Sequence, residues 1–230
     1  MSVDIDELKR QAAEKAVAFV KSGMVVGLGT GSTAVHAVNA IGRMLGDGRL
    51  HDIVAIPTSE ETAHNAQRLG IPLTTFDDHP VIDVTIDGAD EVTPGLDVTK
   101  GLGGALLREK IVAIASKKLI IVADDRKHVT RLATRAPIPI EVIPFARRPV
   151  TTFLESLGGR PVLRQHDGQP FITDEKNIII DCFFDGGLDD AAAMAQTLIN
   201  RPGVVEHGLF LGLAAMAIFA GQDGVEIVTR

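Results

Sequence analysis

Short apolar runs alternate with helical patterns along the first half of the chain, and this alternation constrains the fold more than any other feature. The runs Met24–Leu28, Ile53–Pro57 and Leu119–Ala123 contain no charged or hydroxyl side chain, which is typical of strands buried on both faces. The segments between such runs carry apolar residues at spacings of three and four, as amphipathic helices do. The alternation predicts an α/β fold with a Rossmann-like, mostly parallel sheet and helices on both faces.

The same patterns locate the individual elements. Helices are predicted in Asp6–Lys21, Ala34–Met44, Thr58–Leu69, Gly104–Ser116, Val150–Leu157 and Asp189–Asn200. Further strands are predicted in Leu73–Phe76, Val81–Ile86, Pro161–Arg164, Asn177–Phe183 and Val225–Val228. Thr58 and Glu61 are expected to form a capping box at the start of their helix.

A change of pattern near residue 131 divides the chain. Three of the 11 prolines fall between Pro137 and Pro144, and short elements of an α+β type follow. The 230 residues exceed one typical domain but fall short of two full-sized ones. We therefore predict a Rossmann-like domain of residues 1–130 and 205–230, and a small ferredoxin-like α+β domain of residues 131–204.

Composition argues against several classes of function. A formal charge of −7, with 9 Phe and no Trp or Tyr, offers neither the basic field nor the stacking rings that nucleic-acid binding needs. The one cysteine, Cys182, is interpreted as a buried strand thiol, so no disulfide is expected. The acidic N-terminus, Met1–Glu7, lacks the regions of a signal peptide, and no apolar stretch reaches membrane-spanning length. We expect a cytoplasmic protein with no nucleic-acid or membrane partner.

A glycine-rich segment, Gly29–Ala34, follows the first predicted strand and precedes a helix. It satisfies the G-x-G-x-x-G/A pattern of dinucleotide-binding loops. Backbone N–H groups at such a turn, at the positive end of a helix, can hold a phosphate or carboxylate. Against a dinucleotide, Glu60 comes two positions too late to be the acidic residue that grips an adenosine ribose. The segment predicts an anion-binding loop, and the alternative is a turn that only packs a helix against the sheet.

Three carboxylates, Asp87, Asp90 and Glu91, follow the predicted strand that ends at Ile86. Open parallel sheets bind ligands at the carboxyl ends of their strands. Mutual repulsion among these carboxylates is expected to raise the pKa of at least one, which suits acid–base catalysis. The alternatives are a solvated acidic turn and a metal site. A metal site is disfavoured because none of the seven histidines has ligand spacing to another.

A third segment, Lys100–Lys110, joins a glycine-rich loop to a helix. Its glycines allow the backbone to approach a ligand closely, and Lys100 stands at the start of the loop. On the helix, Glu109 has apolar residues one turn before and one turn after it. Such a carboxylate either forms a structural ion pair with Arg108 or Lys110, or carries a raised pKa and acts as a general base.

A charged segment, Asp124–His128, follows the buried strand that ends at Ala123. One of its cations could contact an anionic ligand at the carboxyl edge of the sheet. The alternative is an ordinary charged loop.

Taken together, the motifs resemble ribose-5-phosphate isomerase of type A. The resemblance rests on the order and spacing of Gly27–Thr33, Asp87–Glu91, Lys100–Lys110 and Pro139–Phe145, and it extends over nearly the whole chain. It implies an aldose–ketose isomerase that interconverts D-ribose 5-phosphate and D-ribulose 5-phosphate in the pentose phosphate pathway. It further implies no cofactor, no metal and a homo-oligomer, usually a dimer.

The resemblance also implies roles for individual residues. Glu109 would move a proton between C1 and C2 through an enediolate, and Lys100 would stabilise the developing oxyanion. Asp87 and Asp90 would handle the hydroxyl protons and ring opening. The substrate-binding positions implied in the same way are Lys9, Thr30, Gly31, Ser32, Thr33, Gly88, Ala89, Gly101, Leu102, Gly103 and Lys127. Arg126 departs from the family, which usually has a small polar residue there, and the departure could alter phosphate affinity.

Two other classes of function stay open at this point. A sugar-phosphate sensor domain of a transcriptional regulator would bind the same ligand without converting it, since fold does not fix function. We expect no DNA-binding module before this domain, and a sensor needs no equivalent of Glu109. A nicotinamide-dependent dehydrogenase is the other alternative, and NAD binding would distinguish it.

Overall fold

The computed structural model describes residues 4–230, so Met1–Val3 of the acidic N-terminal stretch lie outside the described residues. The helices are α1 Ile5–Val17, α2 Ala34–Gly46, α3 Glu60–Arg68, α4 Leu106–Ile114, α5 Arg147–Ser156 and α6 Ala191–Ile199. The strands are β1 Val25–Leu28, β2 Val54–Pro57, β3 Val84–Gly88, β4 Glu91–Val92, β5 Val98–Thr99, β6 Leu119–Asp124, β7 Ile138–Val142, β8 Arg160–Leu163, β9 Gln165–His166, β10 Gln169–Pro170, β11 Ile178–Phe183, β12 Val204–His207, β13 Leu209–Phe210, β14 Ala214–Gly221 and β15 Gly224–Thr229.

These elements form two compact units. The first contains the chain up to Ala89, Arg108–Lys127 and Gly212–Arg230. The second contains Asp90–Leu107 and His128–Leu211. The second unit therefore includes a segment before residue 108 that the sequence-based division assigned to the larger domain.

The first unit is built on a six-stranded sheet in the order β2-β1-β3-β6-β14-β15. All neighbouring strands are parallel except β14 and β15, which are antiparallel. The chain moves from β1 to β2 on one side, and then returns to place β3 on the other side of β1. Open sheets bind ligands beyond the carboxyl ends of their strands at such a switch point. Gly29, directly after β1, and Asp87, near the end of β3, lie at this point.

The two faces of this sheet pack against different helices. Val26 of β1 belongs to a large buried cluster with Ala16 of α1, whereas its neighbour Val25 packs with Ile56 and with Val112 of α4. Successive residues of a strand point to opposite faces, so α1 and α4 cover opposite sides of the sheet. The predicted α/β class, with a mostly parallel sheet and helices on both faces, is confirmed.

The second unit contains an antiparallel sheet in the order β12-β7-β11-β8. With α5 between β7 and β8 and α6 between β11 and β12, the chain follows the βαββαβ path of ferredoxin-like folds. Cys182 is fully buried in β11, and this burial raises the pKa of its thiol to about 12. The thiol therefore stays protonated and unreactive near neutral pH, in agreement with its interpretation as a structural residue.

Several expectations about local structure were wrong. The segment Leu73–Phe76 is not a strand, because only Leu73 pairs, in an isolated bridge to Ala55 at the sheet edge. Strand β14 was not among the predicted strands. Its alanine and glycine content gives a weak strand signal, yet it pairs with β6 in the sheet. The capping box is replaced by Ser59, whose side chain accepts a hydrogen bond from Thr62 N.

Two glycines allow β1 and the following loop to pass close to β3. A Cβ atom at Gly27 would overlap the Thr85 hydroxyl, and one at Gly29 would overlap the Asp87 carboxylate. Since these neighbours belong to a packed strand, neither position has room for a side chain.

We expect Gly29→Ala to lower the free energy of unfolding by about 1–3 kcal/mol, the usual cost of inserting atoms into a packed interior. Urea denaturation measures this value. Gly46→Ala is the matched control, because a Cβ there would meet nothing within 4 Å. It should be neutral or stabilising by up to about 1 kcal/mol, as expected for this replacement in a helix. Equal effects of the two substitutions would contradict the close approach at Gly29.

Candidate active site

The Gly29–Thr33 loop turns tightly between β1 and α2 and is bound to the end of β3. Gly31 has a φ of 101°, a conformation that favours glycine. Gly29 N donates to Ile86 O at 3.0 Å, and Thr30 N donates to Asp87 Oδ1 at 3.2 Å. Thr33 is the N-cap residue of α2, so the loop leads directly into the positive end of that helix.

A cation from α1 reaches the same loop. Lys9 Nζ donates a hydrogen bond of 2.9 Å to Ser32 Oγ. The structure thus brings together two of the predicted substrate-binding residues. A lysine beside the N-terminus of α2 provides the charge that an anionic group would need there.

Four buried hydroxyl groups fix the shape of the loop. Thr30 Oγ1 lies 2.7 Å from Thr58 Oγ1, 2.8 Å from Ser59 Oγ and 3.1 Å from Thr62 Oγ1. Thr62 Oγ1 also donates to Gly29 O at 3.1 Å. This cluster was not predicted from the sequence. Its signal was the Thr58-Ser59 pair directly after β2, the strand that neighbours β1.

A cavity of about 400 Å³ opens beside this loop within the first unit. Its lining includes Gly29 and Gly31 together with His64 and Arg68 of α3. This volume is in the range of small-molecule sites.

Asp87 is a buried carboxylate near the end of β3. Its side chain is 1% exposed, and Oδ1 accepts hydrogen bonds from Thr30 N at 3.2 Å and from Gly88 N at 2.7 Å. Gly88 pairs with Val122 of β6, and Ala89 is half-buried directly after the strand. The carboxylate therefore has a position fixed by the backbone at the switch point of the sheet.

Glu109 lies in α4 and is 5% exposed. Ile86 faces the side of the sheet that α1 covers, so the next residue, Asp87, faces the opposite side. Helix α4 covers that opposite side, so Glu109 and Asp87 lie on the same side of the sheet. Of the two neighbouring cations considered above, Arg108 forms an ion pair with Glu60 of α3, with Nη1 and Oε1 2.7 Å apart. Lys110, the next residue along the chain, is also buried.

The charged segment after β6 forms a short turn, Asp125–Lys127. Burial raises the pKa of Asp124, but hydrogen bonds and the charge of Arg126 outweigh this effect, so the pKa lies below its usual range. Arg126 Nε and Nη2 lie 2.6 and 3.2 Å from the two Asp124 oxygens. Arg126, the residue that departs from the family pattern, is thus paired with the buried Asp124 carboxylate. Lys127, the next residue of the turn, is half-buried.

Lys100 is a buried lysine of the second unit. It follows β5 and is 3% exposed, and its backbone N donates to Gly208 O at 2.9 Å. The Nζ atom lies 5.7 Å from the centroid of the Phe210 ring. An ammonium group at this distance from an aromatic face is stabilised by the ring.

The loop after Lys100 is held by Asp90. Asp90 Oδ2 accepts a hydrogen bond of 3.0 Å from Leu102 N, and Asp90 N donates to Thr99 O at 2.7 Å. Gly101 and Gly104 have φ values of 107° and 84°, so the loop requires glycine at both positions. Leu102 and Gly103 between them are exposed.

The three predicted carboxylates have separate surroundings. Glu91 is 1% exposed and accepts hydrogen bonds from the backbone N atoms of Ala133, Arg135 and Ala136. It fixes the segment before β7. Asp87 and Asp90 accept hydrogen bonds from other backbone N–H groups. Because Asp87 and Glu91 are buried, the alternative of a solvated acidic turn is wrong for these two residues.

Within residues 4–230, no three side chains of His, Cys, Asp or Glu are grouped so that they could hold a metal ion. In the same part of the chain, no helix has the length and apolar character needed to cross a membrane.

Comparison with known proteins decides the family. The profile of the family described as ribose 5-phosphate isomerase A (phosphoriboisomerase A) matches residues 54–224. The chain belongs to the ribose 5-phosphate isomerase A family. A ribose-5-phosphate isomerase A from Desulfatibacillum aliphaticivorans is 55% identical over 96% of both chains. A probable ribose-5-phosphate isomerase 3, chloroplastic, from Arabidopsis thaliana is 52% identical over 98% of this chain and 84% of its own length.

Solved structures of the ribose 5-phosphate isomerase A family share the whole fold. Ribose 5-phosphate isomerase from Plasmodium falciparum is 40% identical, covers 98% of this chain and 99% of its own, and has a TM-score of 0.96. A D-ribose-5-phosphate isomerase in complex with phospho-erythronic acid is 38% identical, covers 99% of this chain and all of its own, and also has a TM-score of 0.96. The resemblance stated from the motifs is confirmed, and the sensor reading is not favoured.

Proposed function

We propose that this protein interconverts D-ribose 5-phosphate and D-ribulose 5-phosphate through an enediolate, without a cofactor. The observation that carries the proposal is the position of Asp87 and the Gly29–Thr33 loop at the switch point of a sheet, in a member of this isomerase family. That position is where folds of this type bind their ligands.

The chemistry needs only proton transfers. After ring opening, a base removes the proton from C2 of the aldose, and the electron pair of that C–H bond forms the C1–C2 double bond. The carbonyl electrons move to O1, which becomes an oxyanion. O2 then loses its proton and the electrons of that O–H bond form the C2 carbonyl, while the electrons of the C1–C2 double bond take the proton back at C1. Protonation of the O1 oxyanion completes the ketose. All protons and electrons remain within the substrate and the acid–base groups, so no external oxidant is required.

The proposed base is Glu109, because a buried carboxylate can accept a proton where water does not compete. Lys100 is the proposed donor to the oxyanion, since a buried ammonium stabilises developing negative charge more strongly than an exposed one. Asp87 and Asp90 are proposed to serve the hydroxyl protons and ring opening. Substrate contacts are proposed for the two glycine-rich loops and the nearby cations, that is, Lys9, Thr30, Gly31, Ser32, Thr33, Gly88, Ala89, Gly101, Leu102, Gly103 and Lys127.

The decisive experiment is an assay of ribulose 5-phosphate formation from ribose 5-phosphate with no added cofactor. We expect turnover, and we expect it to survive exhaustive chelation with EDTA because carboxylates and a lysine suffice for the proton transfers. Tight binding of ribose 5-phosphate without turnover would instead support the sensor function. Loss of activity in EDTA that a divalent metal restores would overturn the metal-free mechanism.

Replacement of Lys127 should affect substrate binding more than chemistry. A cation that contacts the nonreacting phosphate binds ground state and transition state alike. We expect Lys127→Ala to raise KM roughly 10- to 100-fold, the value of one charged hydrogen bond, with kcat little changed. Steady-state kinetics measure both constants, and Lys21→Ala, at an exposed position, is the control. A fall in kcat at constant KM would place Lys127 in the chemical step.

We also propose that the protein acts as a homodimer in the cytoplasm, within the pentose phosphate pathway. The family resemblance supports the pathway and the dimer. Phe145 is 94% exposed beside half-exposed Ile143, which supports an apolar surface covered by a second copy. Light scattering should give the mass of a dimer, and Phe145→Ser should weaken the association.

A further inference from the structure

Arg164 is an internal arginine of the second unit, placed directly after β8. Its side chain is 12% exposed and that of its partner Asp181, in β11, is 16% exposed. Nε donates to Asp181 Oδ2 at 2.9 Å, and Nη2 donates to Asp181 Oδ1. This two-point pairing fixes the plane of the guanidinium group.

The remaining arm of the guanidinium reaches the loop after Lys100. Arg164 Nη1 donates to Gly101 O at 2.8 Å and to Leu102 O at 3.1 Å. Its Cζ atom lies 5.8 Å from the Phe171 ring centroid, and the same ring occupies the space that a Cβ at Gly104 would need. Arg164 thus binds consecutive carbonyl groups of the loop from within a packed setting.

These hydrogen bonds connect Arg164 to Asp90 through one peptide group. The peptide between Gly101 and Leu102 accepts from Arg164 at its oxygen and donates to Asp90 Oδ2 at its nitrogen. A trans peptide group places its C=O and N–H in opposite directions, so the two bonds lie on opposite sides of the loop. A cation at the oxygen also polarises the peptide and strengthens the N–H as a donor.

We propose that Arg164 is a positioning residue for the isomerase reaction. It fixes the Gly101–Leu102 peptide and thereby the orientation of the Asp90 carboxylate, and it directs the N–H of the next peptide, at Gly103, away from the guanidinium. This inference rests on the proposed function, in which Asp90 handles a hydroxyl proton of the substrate. Arg164 itself needs no contact with the substrate.

The test compares Arg164→Lys and Arg164→Gln with the wild type. Lysine keeps the charge but lacks the fork that reaches Asp181 and two carbonyls together, so it should not rescue activity. We expect kcat to fall roughly 10- to 100-fold in both variants with KM little changed, the effect of a small displacement of a catalytic group. The acid limb of the pH profile of kcat/KM should move to higher pH, because the Asp90 carboxylate loses a polarised donor. Arg160→Gln, an exposed arginine of β8 that stacks on Phe183, is the matched control and should keep normal kinetics.

A double-mutant cycle decides whether Arg164 acts through Asp90. If it does, Arg164→Gln combined with Asp90→Asn should lose no more kcat than Asp90→Asn alone. Multiplying losses, or a folded Arg164→Lys enzyme with wild-type kcat and pH profile, would overturn the inference. Where Arg164→Gln alone fails to fold, Arg164→Gln with Asp181→Asn removes both charges of the pair and the same cycle is measured on that background. An inactive wild-type protein would refute the proposed function instead, so the two failures are distinguishable.

Discussion

Glu109→Gln should lower kcat by about 10² to 10⁴, the range that general-base catalysis contributes, while the protein stays folded. The substitution keeps the size of the side chain and its hydrogen-bonding capacity but removes the basic oxygen that would take the C2 proton. Substrate affinity should change little, because the C2 proton is not abstracted in the ground state. Steady-state kinetics and thermal melting on one preparation measure both properties.

The same measurements separate a catalytic role of Glu109 from a structural one, because the loss of a buried ion pair would change the melting temperature. If Glu109 served only in an ion pair, its loss would lower the melting temperature and leave normal turnover in the folded fraction. Glu155→Gln, at an exposed position of α5, is the matched control and should change neither property. A phosphorylated aldonate, whose carboxylate resembles the planar enediolate, should still bind the inactive variant. A stable and fully active Glu109→Gln enzyme would remove Glu109 from the mechanism.

The parts of the fold that follow from local pattern were predictable. Continuous apolar runs identified β1, β2 and β6 because a strand buried on both faces needs no polar position. The loop at Gly29 was recognisable because a strand, a glycine-rich turn and a helix follow each other within a few residues. The hydrogen bond between this loop and Asp87 joins residues 57 positions apart, and only the order of the strands in the sheet brings them together.

The parts that depend on distant contacts were not predictable. Arg164 binds Gly101 O across 63 positions, and no local pattern marks an arginine at the end of a short strand as the support of a loop. Glu91 looked like a member of an acidic cluster, yet its carboxylate binds backbone N–H groups more than 40 positions later. A carboxylate in a sequence cluster can serve chemistry or structure, and the choice depends on which backbone groups the fold brings to it.

Lys100→Met should lower kcat by about 10² to 10³, the usual loss when one donor to a developing oxyanion is removed. Methionine fills a similar volume in the buried position but carries no charge. The variant loses an attraction to the Phe210 ring, and it also no longer has to bury an ammonium group, so these two effects on the free energy of unfolding oppose each other. We therefore expect a stable protein with a defect in the chemical step.

Lys118→Met is the matched control for this effect. Lys118 Nζ lies 4.4 Å from the Phe19 ring centroid, so the same substitution removes the same type of contact. Lys118 precedes β6 at the amino end of the strand, opposite to the carboxyl edge that carries the Gly29–Thr33 loop. Its replacement should leave kcat unchanged. If both lysine variants lost activity equally, the loss would come from the cation–ring contact and not from charge at the reaction centre. Wild-type kcat in a folded Lys100→Met protein would mean that the oxyanion is stabilised by other donors, of which the N–H groups of Gly101 and Gly103 are the first candidates.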